Sequence, residues 1–298
     1  MVVARHLVGL GYDPLLAPLL PEGAALATER LLVALRLAPP WLIALAHRRT
    51  AQRLGYRLGN RLGWHPVHFG LRKRFVDDEV RAALAGGVGQ VPVVGAGYDT
   101  LALRLAREYP ERTFVEIDHP ATQASKRVGI ATIDAERPNL FLLAADLARV
   151  PLAQALATLR PWDGARASVV VAEGFLIYLP PAAVDKLFTA VHANTGPGSR
   201  VVFTWGRRTD GRADFGRRGR LLSAVMALAG EPWQWSLPDE ATLKALLARS
   251  GFYYHPNPGR FDPCLRYVEP SGIDHRGWAW APELFAVAER SAVSPDPA

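Results

Sequence analysis

One stretch constrains this chain more than any other: Val91-Pro92-Val93-Val94-Gly95-Ala96-Gly97-Tyr98-Asp99-Thr100. An apolar run enters two closely spaced glycines, and Leu101 to Glu108 follows with apolar residues on one helical face. Gly95 and Gly97 permit positive φ and let a ligand approach the backbone without meeting a Cβ. A second run, Phe114-Val115-Glu116-Ile117-Asp118, ends in an acid about twenty residues beyond the turn, as a nucleoside-binding α/β unit requires. Such a carboxylate can accept both ribose hydroxyls. Gly-x-Gly alone says little; strand, turn, helix, strand and acid in this spacing say more.

With 298 residues and 49% hydrophobic content the chain can bury a large core, which excludes global disorder. Its single cysteine, Cys264, excludes an intramolecular disulfide framework and a cysteine metal cluster, and fits a reducing cytoplasm. Met1 to Gly11 lacks the long apolar core of a secretory signal. The most membrane-like stretch, Leu31 to Ala46, is interrupted by Arg36 and Pro39-Pro40, and reads as helix, break, helix. A cytoplasmic protein without a membrane span is expected. Of the net charge of +7, residues 1–90 carry most, with twelve Lys and Arg against six Asp and Glu. Arg48, Arg49, Arg53, Arg57 and Arg61 recur at helical spacing. Without a stacking pattern or nucleic-acid motif they read as a solvated helix face, so no nucleic-acid partner is expected. Oligomeric state is not legible.

Residues 1–75 read as a helical N-terminal cap broken by proline and glycine, 76–290 as the core, and 291–298 as a disordered tail. Asp77, Asp78 and Glu79 suit the first turn of a helix ending at Gly86-Gly87. From Gln90 strands and helices alternate: strands at 91–95, 113–118, 139–144, 167–172 and 199–205, helices at 98–108, 119–129, 151–158 and 181–194. This rhythm predicts an α/β, doubly wound sheet. An insert at 206–245 follows, with a helix at 221–229 and another at 240–250 capped by Ser236 or Asp239. Phe252-Tyr253-Tyr254-His255 and Leu265-Arg266-Tyr267-Val268 read as the last two strands.

Two ligand classes compete for the turn. A nicotinamide dehydrogenase, NAD(P)-dependent, calls for a third glycine where Thr100 stands. S-adenosyl-L-methionine carries no phosphate and needs only backbone clearance. Asp146, in Ala144-Ala145-Asp146-Leu147 at the end of the third strand, puts a carboxylate where it can accept from an adenine amino group, which favours the methyl donor.

Three motifs in order, Val94-Gly95-Ala96-Gly97-Tyr98-Asp99-Thr100, Glu116-Ile117-Asp118-His119-Pro120-Ala121-Thr122-Gln123-Ala124-Ser125-Lys126 and Glu173-Gly174-Phe175-Leu176-Ile177-Tyr178-Leu179-Pro180, resemble the leucine carboxyl methyltransferase family. The similarity covers roughly residues 70–205. It implies a seven-stranded class I methyltransferase (Rossmann-like) sheet, its last strand antiparallel, and an O-methyltransferase using S-adenosyl-L-methionine. It also implies site residues: Gly95, Ala96 and Gly97 lining the donor, Asp118 on the ribose, Asp146 and Leu147 at the adenine, Glu173 at the methionine end. Arg72 resembles the arginine that pairs the donor carboxylate, with Arg74 as the alternative. The first 65 residues and the insert do not match, and there the family builds its acceptor pocket. Bacterial members act on small molecules, which makes a small-molecule acceptor the expected partner.

A carboxylate acceptor is ionised at neutral pH and needs no base, whereas a hydroxyl does. A carboxyl acceptor is therefore preferred. Glu173 is read as an acceptor for the donor's amino group rather than a base, and Tyr178 as either an orienting group or a packing aromatic. Asp99 and His119 are read as helix caps, Trp233 and Trp235 as an acceptor wall or a hydrophobic anchor, and Arg207, Arg208 and Arg212 as a solvated loop. The histidines show no metal spacing, so no metal is expected. A donor-binding protein without transfer activity is the remaining alternative.

Overall fold

The structure, a computed structural model, describes residues 2–52, 54–55, 66–209, 212–213, 227–228, 232–254, 256, 261–274 and 283–291. Arg53, Arg57 and Arg61, most of the 221–229 helix and the tail from 292 lie outside the described residues.

The N-terminal helices are α1 (Val2–Gly11), α2 (Ala24–Ala34) and α3 (Pro40–Ala46). The expected break between the last two falls at Arg36, whose φ is 55°. Leu31 of α2 packs against Leu103 and Ile130. A Cβ on Gly129 would stand 2.7 Å from Leu31, so the glycine lets the two helices approach.

Next comes α4 (Pro66–Ala85), which starts about ten residues earlier than the acidic triplet predicts. Proline at its first position sacrifices no hydrogen bond. Asp77 sits in mid-helix, where it accepts from Arg81 Nε at 2.5 Å and Arg104 Nη2 at 2.6 Å. Its role is to tie α4 to the next helix rather than to cap.

The alternating region follows the expected order: β1 (Gln90–Val94), α5 (Leu101–Glu108), β2 (Thr113–Asp118), α6 (Pro120–Thr132), β3 (Leu140–Ala144), α7 (Leu152–Ala157), β4 (Val169–Ala172), α8 (Pro181–Ala193) and β5 (Arg200–Gly206). A short ribbon, β6 (Arg208–Thr209) with β7 (Arg212–Ala213), stands apart. Then come α9 (Glu240–Arg249), β8 (Phe252–Tyr254) and β9 (Glu283–Arg290). Asp239 is the cap of α9, accepting from Thr242 N at 2.7 Å.

The seven strands are ordered β3-β2-β1-β4-β5-β9-β8, and β9 runs antiparallel to both neighbours. The inner strands are buried on both faces, as apolar runs between helical layers should be. One layer joins Leu187, Phe188, Leu243 and Leu247 to the sheet, the other joins Phe75, Val76, Leu101 and Leu105. β3 is an edge strand and only half-buried.

The final strand departs from expectation. Leu265 to Val268 belongs to a π-helical turn, Cys264–Val268, because Asp262 Oδ1 accepts from Cys264 N and Leu265 N and turns the chain. The strand that completes the sheet is Glu283–Arg290, through Phe285, Ala286, Val287 and Ala288.

Candidate active site

Strand ends build the site. At the end of β1 the chain turns through Gly95 (φ 67°) and Gly97 (φ 50°). Gly95 N and Gly97 N tie it to β2, donating to Ile117 O (2.8 Å) and Asp118 Oδ2 (2.6 Å). The two glycines differ in what they make room for. A Cβ on Gly95 would lie 2.2 Å from the Phe175 ring, so its clearance serves the loop after β4. A Cβ on Gly97 would meet nothing within 4 Å, which leaves open space over the turn for a ligand. Beneath, Lys126 Nζ donates to Asp99 O (2.6 Å) and pairs with Glu116 Oε2 (2.5 Å), with both side chains fully buried. Burial raises the Glu116 carboxyl to about 6 against the pull of Lys126.

Asp118 is the last residue of β2, and Asp146 and Glu173 stand just past the ends of β3 and β4, with Leu147 packed on the core beside Asp146. Asp146 Oδ1 accepts from Ala148 N at 3.0 Å, and Arg149 pairs with the carboxylate at 3.4 Å. Glu173 Oε1 accepts from Arg72 Nε at 2.7 Å and lies 2.8 Å from Lys73 Nζ. Lys73 also pairs with Asp99. Burial alone would raise the Asp99 carboxyl, but Lys73 holds it well below the usual carboxylate range. Arg72 spans two carboxylates: its Nη1 reaches Glu283 Oε2 at 2.7 Å as its Nε holds Glu173. Gly174, at φ 60°, allows this, since a Cβ there would press on the guanidinium at 3.1 Å. Burial opposes ionisation of Glu283, and Arg72, His68 and the Thr204 hydroxyl together more than offset it, holding the carboxyl at about 2.

Arg72 is therefore the arginine of α4 that meets Glu173, while Arg74 turns away to Asp78 (2.9 Å) and Leu20 O. Tyr178 lies in a 3₁₀ turn, Leu176–Tyr178, and its carbonyl accepts from Gln234 Nε2 at 2.8 Å. Thr100 is the N-cap residue of α5, and Asp99, one residue before it, accepts from Leu101 N at 2.5 Å, while His119 Nδ1 caps α6 through Ala121 N at 3.3 Å. Trp235 is a buried anchor in the core. Lys73, His68 and Glu283 escape the sequence reading. Lys73 could have been found beside Arg72, and His68 one turn before it on the same helix face. Glu283 could not, because its strand is misplaced in sequence. Among the described residues no His, Cys, Asp and Glu group could hold a metal.

A sheet of this order, with one antiparallel strand and acids at the ends of β2, β3 and β4, is the class I methyltransferase fold. The structure is similar over 95% of this chain and 98% of the other to a protein of Thermobifida fusca provisionally named a methyltransferase (TM-score 0.59, 19% identity), a likeness of fold. A model of the leucine carboxyl methyltransferase family matches residues 13–192, and the chain belongs to that family. A Mycobacterium bovis relative, provisionally named an S-adenosyl-L-methionine-dependent methyltransferase, is 36% identical over 209 residues, 61% of this chain and 63% of the relative. One from Mycobacterium sp. (strain JLS), named likewise, is 42% identical over 134 residues, 44% of this chain and 43% of the relative. Each match thus spans less than two thirds of the relative's own length.

Proposed function

We propose that the chain is an S-adenosyl-L-methionine-dependent O-methyltransferase acting on a carboxyl or hydroxyl group of a small molecule. The carrying observation is the charge of the site. Among the described residues, Asp99, Asp118, Asp146, Glu173 and Glu283 outnumber the cations beside them, which are Arg72, Lys73, Lys126 beneath Asp99 and, at the rim, Arg149, with His68 near Glu283. An excess of carboxylates attracts a cationic sulfonium and repels a pyrophosphate, which weighs against the nicotinamide reading. The family of the chain weighs against a binding module without activity.

When bound, S-adenosyl-L-methionine supplies a methyl group on a sulfonium that leaves as a neutral thioether. The chain's own residues hold and orient. Asp118 accepts the ribose hydroxyls beside the open space over Gly97. Asp146 and Leu147 flank the adenine. Glu173 accepts from the donor's amino group, and Arg72 with Lys73 offers cations to its carboxylate. The buried network fixes these groups before any ligand arrives, so little ordering is left to binding. No described helix is long and apolar enough to cross a membrane, and a cytoplasmic setting is part of the proposal.

Incubation with methyl-labelled S-adenosyl-L-methionine and a set of small carboxylic acids and phenols tests the reading. Label should enter an organic product, and alkali should release it from an ester but not from an ether. Label carried only on nitrogen or sulfur of a product would contradict an O-methyltransferase.

A further inference from the structure

Asp99, in the turn between β1 and α5, ties three helices together, and each of its oxygens has a different partner. Its backbone carbonyl accepts from Lys126 Nζ of α6 at 2.6 Å. Oδ1 accepts from Leu101 N at the start of α5. Oδ2 pairs with Lys73 Nζ of α4. The same lysine nitrogen stands 2.8 Å from Glu173 Oε1, past the end of β4. One ammonium is therefore shared between a carboxylate of the turn and the carboxylate assigned to the donor's amino group.

We infer that Asp99 is a positioning residue for the donor's methionine end: it holds Lys73 beside Glu173 so that the lysine ammonium meets the donor's carboxylate. This rests on the donor reading above and names how one of its two cations is set in place. Three observations carry it.

The first is the proton count. A lysine ammonium has three protons, and Asp99 and Glu173 engage two of the three on Lys73. Arg72 Nε and Lys73 both meet Glu173 at Oε1, and among the described residues no donor engages Oε2. A zwitterion set here would place its ammonium on Oε2 and its carboxylate on the third proton of Lys73. The second is burial. The Lys73 side chain is 17% exposed and that of Asp99 13%, so the pair is largely desolvated yet still open to a ligand. Capping α5 needs only a neutral oxygen, whereas a buried charge on Oδ2 is costly unless a cation is held by it. The third is where the turn leads. Two residues before Asp99, Gly97 N holds Asp118 Oδ2 at 2.6 Å beneath open space. The same turn thus fixes an acid for the ribose and a cation for the methionine end.

Lys126 also lies beside Asp99. It meets the backbone carbonyl, which a side-chain substitution leaves in place, and it stays paired with Glu116 at 2.5 Å. Removing the Asp99 charge therefore releases Lys73 rather than the turn.

The test compares two ligands by calorimetry on the full chain: S-adenosylhomocysteine, and 5′-methylthioadenosine, which lacks the amino and carboxyl groups. No binding of S-adenosylhomocysteine to the unmodified chain would overturn the donor reading itself. Binding of both ligands there with equal affinity would overturn the present inference without any variant. Asp99→Asn keeps an oxygen for Leu101 N and loses the charge, and Asp99→Ser does the same should the first variant fail to fold. Either should weaken S-adenosylhomocysteine about tenfold and 5′-methylthioadenosine less than about twofold. Lys73→Met should weaken S-adenosylhomocysteine to a similar extent, and adding the Asp99 substitution to it should cost less than about a further twofold, since Asp99 acts through Lys73. Equal weakening of both ligands by the Asp99 variants would overturn the inference, because a merely structural role in the turn acts on the shared adenosine part too. Additive losses in the double variant would overturn it as well. So would unchanged S-adenosylhomocysteine affinity in Lys73→Met, which would leave the carboxylate to Arg72.

Discussion

Gly95 and Gly97 share a left-handed backbone but not a reason for it. Phe175 fills the space over Gly95, so Gly95→Ala combines a steric clash with an unfavourable φ and should cost about 2–4 kcal/mol in chemical denaturation. The Glu283 carboxyl makes a second residue-scale statement. Its folded-state value of about 2 lies below its ordinary 4.5, so the stabilisation it brings is full above pH 4.5 and fades as pH falls toward 2. Glu283→Gln should therefore be less stable than the wild type at about pH 6, and the gap in melting temperature should narrow on acidification to about pH 3. A gap independent of pH would show that the ion pair with Arg72 is not its source. What sequence makes legible at this scale is local. Gly97, Asp118 and Glu173 can be placed along the chain because each sits within three residues of a strand end that its own neighbours announce. His68 and Glu283 are not, because their meeting joins the start of α4 to the start of the last strand.

Among the elements, β9 shows why a sheet can be read strand by strand and still be finished wrongly. Glu283-Leu284-Phe285-Ala286-Val287-Ala288-Glu289-Arg290 is rich in good helix formers, yet pairing with β5 along seven residues overrides that preference. Leu265-Arg266-Tyr267-Val268 has strand-like residues but turns as a π-helix, with Arg266 Nη1 drawn to Glu79 at 2.7 Å. The parallel strands gave no such trouble, because each is closed off by a turn and a helix of its own. Phe285 lies at the centre of the difficult element, buried and stacked 4.9 Å from Phe75 of α4. Phe285→Ala should cost about 3–5 kcal/mol in urea unfolding. A loss below about 1 kcal/mol would mean that β9 is not a core strand.

For the whole molecule, the organising observation is that Asp99, Glu173 and Glu283 are answered by Arg72 and Lys73 of α4 where Asp118 and Asp146 also stand, at the ends of the parallel strands. Packing holds that arrangement independently of any ligand: α4 carries Phe75, Val76 and Val80 into one core layer while presenting His68, Arg72 and Lys73 to the strand ends. The helical N-terminal layer reaches the same end, with Thr28 Oγ1 3.5 Å from Thr100 Oγ1. Sequence reading recovered the family and the fold, since class and spacing are written into three consecutive motifs. It did not recover the meeting of His68 and Glu283, which joins α4 to β9 and carries no continuous pattern. The central claim, that this end of the sheet is built for a methyl donor and not for a dinucleotide, is tested most directly by calorimetric titration with S-adenosylhomocysteine and with NADH. Saturable binding of S-adenosylhomocysteine, weakened about ten- to a hundredfold in Asp118→Ala, and no binding of NADH are expected. Binding of NADH without S-adenosylhomocysteine, or an Asp118→Ala variant with undiminished affinity, would contradict it.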